Sequence, residues 1–293
     1  MPIRDWVAAL TIILAWGVNF VVIKWGLDEL PPFLLGGLRF LLVAPAVFFV
    51  PRPAVSWRVL IMFGMTLSFG QFALLFTAMT VGMSAGLASL VLQSQAFFTV
   101  LIAALFLGEK VRAHHVLGML VAAVGLGLIE QGAYAGNVTL LGFALTLGAA
   151  LNWACGNIIV KTVGKVDMLS LVVWGALVPP IPFFIMSWVF EGPELIWHSL
   201  ANISLAGIGA LLYLALAATT LGYVLWGRLL SRHPVSKVAP LSLLVPIVGL
   251  LSAAVLLGER MHLLQWFGGL IVMTGLAINL MGSRVLNLLR TLR

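Results

Sequence analysis

Fifty consecutive residues without a charge, Val59 to Gly108, run between Arg58 and Glu109. An ordinary water-soluble fold does not leave so long a stretch uncharged. A bilayer crossing takes about 20 apolar residues, so the tract fits two crossings with a turn between them. The turn falls at Val81-Gly82-Met83-Ser84-Ala85-Gly86, where the chain-breaking residues gather. The rest of the chain follows suit, with 62% hydrophobic and 9% charged residues and a mean hydropathy of +1.15. Cutting at charges, prolines and glycines predicts ten membrane helices joined by short loops, the first over Trp6–Trp25, the second over Pro31–Val50, the sixth over Asn137–Val160 and the last over His262–Met281. The expected fold class is an all-α polytopic membrane protein without a soluble domain. Arg4 precedes an apolar run as in a signal peptide, but no small-residue cleavage site follows and a second apolar segment comes at once, so the run reads as a helix.

The net charge of +7 does not point to nucleic acid, because the basic residues lie singly between apolar tracts instead of on one face. Their placement gives orientation instead, since loops rich in Lys and Arg stay cytoplasmic. With the amino terminus inside, Arg4, Arg52, Arg58, Lys110, Arg112, Lys161, Lys165, Arg228, Arg232, Lys237, Arg284, Arg290 and Arg293 fall on the cytoplasmic side. Only Lys24 and Arg260 fall opposite, and Arg39 is left inside a helix. Both termini are expected in the cytoplasm.

The chain also resembles itself. A shift of 150 residues aligns Leu107-Gly108-Glu109 with Leu257-Gly258-Glu259, Gly118 with Gly268 and Gly125 with Gly275, and a shift of 137 aligns Trp16 with Trp153 and Lys24 with Lys161. Two repeats of five helices are expected, residues 1–132 and 133–283, with a short basic cytoplasmic tail at 284–293. Five is odd, so the second copy enters the membrane inverted. Inverted repeats characterise secondary transporters, whose substrate site lies between the halves near the midplane.

Particular stretches carry a family resemblance. Trp16-Gly17-Val18-Asn19-Phe20-Val21-Val22-Ile23-Lys24, Gly37-Leu38-Arg39-Phe40, Gly86-Leu87-Ala88-Ser89-Leu90-Val91-Leu92-Gln93, Trp153-Ala154-Cys155-Gly156-Asn157 and Ala239-Pro240-Leu241-Ser242-Leu243-Leu244-Val245-Pro246 resemble the EamA family of the drug/metabolite transporter superfamily, most closely its bacterial exporters of cysteine and O-acetylserine. The resemblance spans essentially the whole chain. It implies ten helices in a five-plus-five inverted repeat, residence in the bacterial inner membrane as a multi-pass protein, and export of small amino-acid-like metabolites. Many superfamily members carry a proline in helix 4 matching Pro246; this chain has Ala96 there, as its exporter subgroup does.

Arg39 is the most informative single residue, about eight residues into helix 2 and too deep to reach the surface without snorkelling. A charge at that depth costs roughly 2.5 to 3.5 kcal/mol on insertion scales. Either it faces a wet cavity and pairs with a substrate carboxylate, which a planar guanidinium suits, or it anchors backbone carbonyls at a helix end. Lys24, ending helix 1 beside Trp25, reads as an interfacial anchor.

Asn19, Gln71, Gln93, Gln95, Asn152 and Asn157 supply side-chain amides, whose donors and acceptors suit a zwitterion and equally serve as glue between helices. Trp16 and Asn19 are three apart and Trp153 and Asn157 four apart, so each pair shares a helix face. Gln93 and Gln95 lie about 200 degrees apart on a regular helix, and the face of Ser89 and Gln93 is the expected lining. Tyr223 and Trp226 offer ring walls with polar tips, or plain packing. The candidate substrate site is therefore Arg39, Asn19, Gln71, Ser89, Gln93, Asn152, Trp153, Asn157, Tyr223 and Trp226.

Other chemistry is unsupported. Cys155 is the single cysteine, so no intrachain disulfide or cysteine metal cluster can form, and no residue near it in sequence would activate the thiol. His114 and His115 point about 100 degrees apart on a helix, poor geometry for one metal. No glycine-rich phosphate loop, His-Glu-x-x-His or Gly-x-Ser-x-Gly is present. The expectation is a monomeric carrier in a lipid bilayer, with a zwitterionic small-molecule substrate and no cofactor, metal, nucleic acid or enzymatic activity. A broader exporter of aromatic amino acids or drugs is the nearest alternative, to be favoured by a roomier, more apolar cavity. A membrane-embedded enzyme would need clustered ionisable groups, and a signalling module a sizeable extramembrane domain. Coupling is open between downhill flux and protons carried by an unidentified residue.

Overall fold

The computed structural model describes residues 1–134, 138–164 and 166–291, without the side chains of 133–134, 235–236 and 283–291. Among the described residues there are helices and no strand. In chain order the main helices are α1 (Ile3–Leu27), α2 (Pro32–Phe48), α3 (Trp57–Thr80), α4 (Ala85–Leu107), α5 (Ala113–Tyr134), α6 (Leu140–Val163), α7 (Met168–Glu191), α8 (Leu205–Arg232), α9 (Ala239–Leu256) and α10 (Leu263–Thr291). All but α2 contain a stretch long and apolar enough to cross a membrane, which makes nine such helices among the described residues.

The shortness of α2 has a local cause. It is regular to Val43 and then tightens into a 3-10 turn, Ala44–Phe48, around Pro45, which has no N–H to continue the α pattern. At about 1.5 Å per residue it spans about 25 Å, short of a hydrocarbon core of about 30 Å. The expected turn after α3 is present: Val81 and Gly82 reverse the chain, with Gly82 at φ 111°, and the Ser84 hydroxyl accepts from the Leu87 amide to start α4. Helix α6 begins three residues later than expected, where Thr139 accepts from the Gly142 amide at 3.0 Å. Asn137, Lys165, Leu292 and Arg293 lie outside the described residues. Helix α10 continues to Thr291, through most of the segment expected as a tail.

The longest mutual contact joins α5 to α10. A Cβ added at Gly118 would sit 2.7 Å from the Gly275 carbonyl oxygen, and one at Gly268 would sit 2.6 Å from that of Gly125, so the backbones touch and only glycine fits. Because Gly118 meets Gly275 and Gly125 meets Gly268, the two helices run antiparallel. Elsewhere α1 packs on α8 and α9, α6 packs on α3 and α4, α2 meets α7, and α4 meets α9. Replacing each helix by the one five places along the chain turns these pairs into one another, whereas the contact of α1 with α4 has no equal between α6 and α9.

Departures from regular helix come in matching positions too. Wide π-helical turns occupy Gly64–Gly70 in α3 and Tyr213–Leu221 in α8, and 3-10 turns occupy Leu92–Ser94 in α4 and Ala239–Leu243 at the start of α9. Gly108 and Gly258, just beyond α4 and α9, both take left-handed backbone, at φ 65° and 66°. In α8 the wide turn leaves carbonyls for side chains, and Thr219 and Thr220 donate to Leu214 and Ala215, five residues back, at 2.8 and 2.9 Å.

The helix ends are joined across the chain. Where α1 finishes, Glu29 accepts from the amide of Ser204 at 2.8 Å and from its hydroxyl, ahead of α8. At the same end Glu191 accepts from the amides of Phe33 and Leu34 at 2.6 and 3.1 Å, and Glu259 from those of Ala85 and Gly86 at 2.7 and 3.0 Å. At the other end the Asp5 carboxylate meets His233 at 2.7 Å and Arg232 at 3.4 Å, and Glu109 meets Lys161 at 2.5 Å. Lys24 pairs with Asp28, four residues on, at 2.7 Å, with both side chains about half exposed.

Candidate substrate-binding site

Side chains from α1, α2, α3, α4, α6, α8 and α9 surround one cavity of about 340 Å³, within the size range of small-molecule sites. Its lining reaches Met168, the first residue of α7, and Leu230, two residues from the end of α8. Toward the end held by Glu29, Glu191 and Glu259 it stops at Phe20, Leu75 and Ser89. The cavity therefore opens toward the end where the chain starts.

Arg39 supplies the charge. It is 3% exposed, and no salt bridge joins it to a carboxylate among the described residues. Its Nε and Nη2 both donate to Thr219 Oγ1, at 3.3 and 3.0 Å. The guanidinium carbon lies 4.1 Å from the centre of the Phe72 ring and 5.5 Å from that of Phe40, cation–π contacts that contribute up to about 2 kcal/mol each when water is excluded. Nη1 has no partner. The backbone-anchor reading of Arg39 is thus not what the structure contains: its bonds go to a hydroxyl, its faces to rings, and one donor is unspent. Leaving a buried polar group unpaired costs about 1 to 3 kcal/mol, more when it is charged.

Of the expected site residues, Asn19, Arg39, Gln71, Ser89, Gln93, Trp153, Asn157, Tyr223 and Trp226 all line this cavity. Asn152 does not: its amide nitrogen donates to the Gly148 carbonyl at 3.0 Å and its oxygen packs against Gly70 of α3. Five residues before Asn157, it lies about 140 degrees around α6 and so faces a neighbouring helix instead. Gln95 lines the cavity alongside Gln93. The 3-10 turn Leu92–Ser94 winds at about 120 degrees per residue, which narrows the angle between the two glutamines from about 160 to about 120 degrees. Gln95 Oε1 accepts from Asn157 Nδ2 at 2.7 Å, tying α4 to α6. The Ser89 hydroxyl is spent on the Gly86 carbonyl at 2.6 Å.

The aromatic wall is preset. Trp16 Nε1 donates to the Ala218 carbonyl at 2.9 Å, and the Trp16 ring meets Tyr223 and Trp226 at centroid distances of 5.6 and 5.4 Å. Thr219 and Phe72, which hold Arg39, were not among the expected residues. Thr219 precedes Tyr223 by four, a spacing that puts the two on one helix face, so that signal was present; Phe72 carried none.

Apolar membrane-length helices gathered around a buried, singly charged polar cavity define a multi-pass membrane transport protein. The chain belongs to the EamA-like transporter family, whose profile matches residues 6–130 and 140–281. It is 51% identical over 290 residues to a probable amino-acid metabolite efflux pump of Escherichia coli (strain K12), covering 97% of each chain. A protein of the same description from Salmonella typhimurium (strain LT2) is 51% identical over 291 residues, again with 97% of each covered. A crystal structure at 20% sequence identity superposes with a TM-score of 0.66 over 98% of this chain and 99% of its own, a likeness of fold.

Proposed function

We propose that this protein exports small amino-acid-like metabolites, of the cysteine and O-acetylserine type, across the bacterial inner membrane by alternating access. The observation that carries the proposal is Arg39, a buried cation with a free donor in a cavity between the chain halves. A substrate carboxylate completes its hydrogen bonding and its charge, which is why a planar guanidinium is there. The relatives named as amino-acid metabolite efflux pumps support the substrate class.

The carrier consists of two inverted repeats, 1–132 and 133–283, ten crossings in all, with both termini cytoplasmic. Support comes from the antiparallel α5–α10 contact, from packing pairs that exchange under a five-helix shift, and from π and 3-10 turns recurring about 150 residues apart. With that orientation the cavity opens to the cytoplasm, where substrate is loaded, and the three glutamates close the outer end. The carrier is proposed to act as a monomer. Among the described residues the lining holds no carboxylate for a driving proton, which supports downhill flux over protons carried by a residue elsewhere; uphill flux under an imposed pH gradient would overturn this.

A second reading has its own support. Trp16, Phe20, Phe72, Trp153, Tyr223 and Trp226 all line a cavity of about 340 Å³, larger than the smallest substrates need, so the same site takes bulkier or aromatic side chains as well. The test is efflux of labelled O-acetylserine, cysteine and an aromatic amino acid from loaded proteoliposomes, with wild type beside Arg39→Ala. The proposal expects wild-type efflux reduced at least a hundredfold in the variant; equal efflux from both would return Arg39 to a structural role.

A further inference from the structure

The polar groups around the cavity divide into those already bonded and those not. Gln95 and Asn157 bond each other, and the Ser89 hydroxyl bonds its own helix. Arg39 Nη1, Asn19 Oδ1 and Gln71 Oε1 have no partner. Their side chains are 3%, 8% and 4% exposed and come from α2, α1 and α3, yet all three line the same cavity. Native structures rarely leave buried polar atoms unpaired, and three around one cavity describe what is missing from it. One is a cationic donor and two are neutral acceptors, the latter on amides whose nitrogens likewise make no hydrogen bond among the described residues.

We infer that Arg39, Asn19 and Gln71 form a socket for the two charged groups of an unmodified α-amino acid, the carboxylate on Arg39 Nη1 and the ammonium on the oxygens of Asn19 and Gln71. An ammonium has three donors and no acceptor, which matches carbonyl oxygens and excludes the guanidinium as its partner. Neutral amides hold the ammonium without a carboxylate that would compete for Arg39. An amine lacking a carboxylate is repelled by the uncompensated guanidinium, and an N-acylated amino acid lacks the charge the amides solvate. The side chain is left to the Trp16, Tyr223 and Trp226 wall, which imposes little hydrogen-bond selection. The site thus reads the head group strictly and the side chain loosely. This rests on the proposed export of amino-acid-like metabolites and specifies its recognition.

O-acetylserine and N-acetylserine are isomers that differ in where the acetyl group sits, and only the first keeps its ammonium. Binding of each to purified protein, read by intrinsic tryptophan fluorescence, together with efflux from proteoliposomes, separates the possibilities. The socket expects O-acetylserine to bind at least tenfold more tightly, the loss of a charged hydrogen bond being worth about that factor or more. Asn19→Leu and Gln71→Met are expected to weaken O-acetylserine about tenfold each and leave N-acetylserine unchanged. Gln71→Asn, which keeps a neutral acceptor oxygen and adds no carboxylate, is expected to retain the preference and guards against loss of fold. Equal wild-type binding and efflux of both isomers would overturn the socket and leave the proposed function standing. Binding and efflux of neither would overturn both.

Discussion

At the end of the bundle where α4 begins, Glu29, Glu191 and Glu259 each grip amides at the start of a helix in the other half of the chain; where α4 finishes, Glu109 meets only Lys161, with both side chains about half exposed. The contrast is sharpest between Glu109 and Glu259, which close the two copies of Leu-Gly-Glu and follow glycines of the same left-handed backbone. Hydrogen bonds from helix amides to a carboxylate contribute about 1.5 to 3 kcal/mol each and are reinforced by the helix dipole, whereas an exposed ion pair contributes about 0 to 1. Equivalent sequence therefore does unequal work: Glu259 ties α9 to α4 at one end, whereas at the other the cavity opens past Glu109, and only Asp5, with His233 and Arg232, ties α1 to the end of α8. In the opposite state of an alternating carrier the roles of the two acids would exchange.

The largest expected effect comes from Glu259→Ala. Removing both of its bonds should speed hydrogen exchange at the Ala85 and Gly86 amides at least tenfold, and unchanged exchange would break the contrast. Glu191→Gln keeps one acceptor oxygen for Phe33 or Leu34, so exchange there should rise about threefold. Glu29 gives a pH test. The Ser204 hydroxyl, chiefly, and the Ser204 and Gly207 amides hold its carboxyl below the ordinary 4.5. A lowered value means its contribution is fully present above 4.5 and fades only as pH falls through the lowered one. Protection at Ser204–Gly207, corrected for intrinsic exchange, should thus be flat from neutral pH down to that range and drop below it, and Glu29→Gln should abolish the acid-dependent drop. The smallest effect on the state described is expected from Glu109→Ala, which loses only an exposed ion pair, with hydrogen exchange in α6 around Lys161 changed less than twofold.

Much of this was legible beforehand, for identifiable reasons. Charge-free tracts and Leu-Gly-Glu repeats are periodic features, and periodicity survives without coordinates. Arg39 declared itself by depth alone, since a charge eight residues into an apolar helix needs a partner. What holds it was legible only in part: the spacing of four puts Thr219 on the Tyr223 face, but its bond to Arg39, 180 residues away, forms from within a π turn, and Phe72 carries no signal. Regular-helix geometry turns Gln95 away from the Gln93 face, and the 3-10 turn at Leu92–Ser94 brings it to the cavity. Asn152 failed differently, since its angle to Asn157 already placed it on another face, and composition outweighed geometry. The 3-10 turn in α4 forms without a proline, so Ala96 does not remove the irregularity that Pro246 accompanies in α9.

The central claim is that the cavity around Arg39 faces one side of the membrane at a time. Ser242 lines that cavity, so Ser242→Cys in a Cys155→Ser background reports access when a membrane-impermeant thiol reagent is applied to oriented vesicles. Without substrate, labelling should be at least tenfold faster from the cytoplasmic face than from the outer face, and O-acetylserine should raise the outer rate. Equal rates from both faces, unmoved by substrate, would contradict the account.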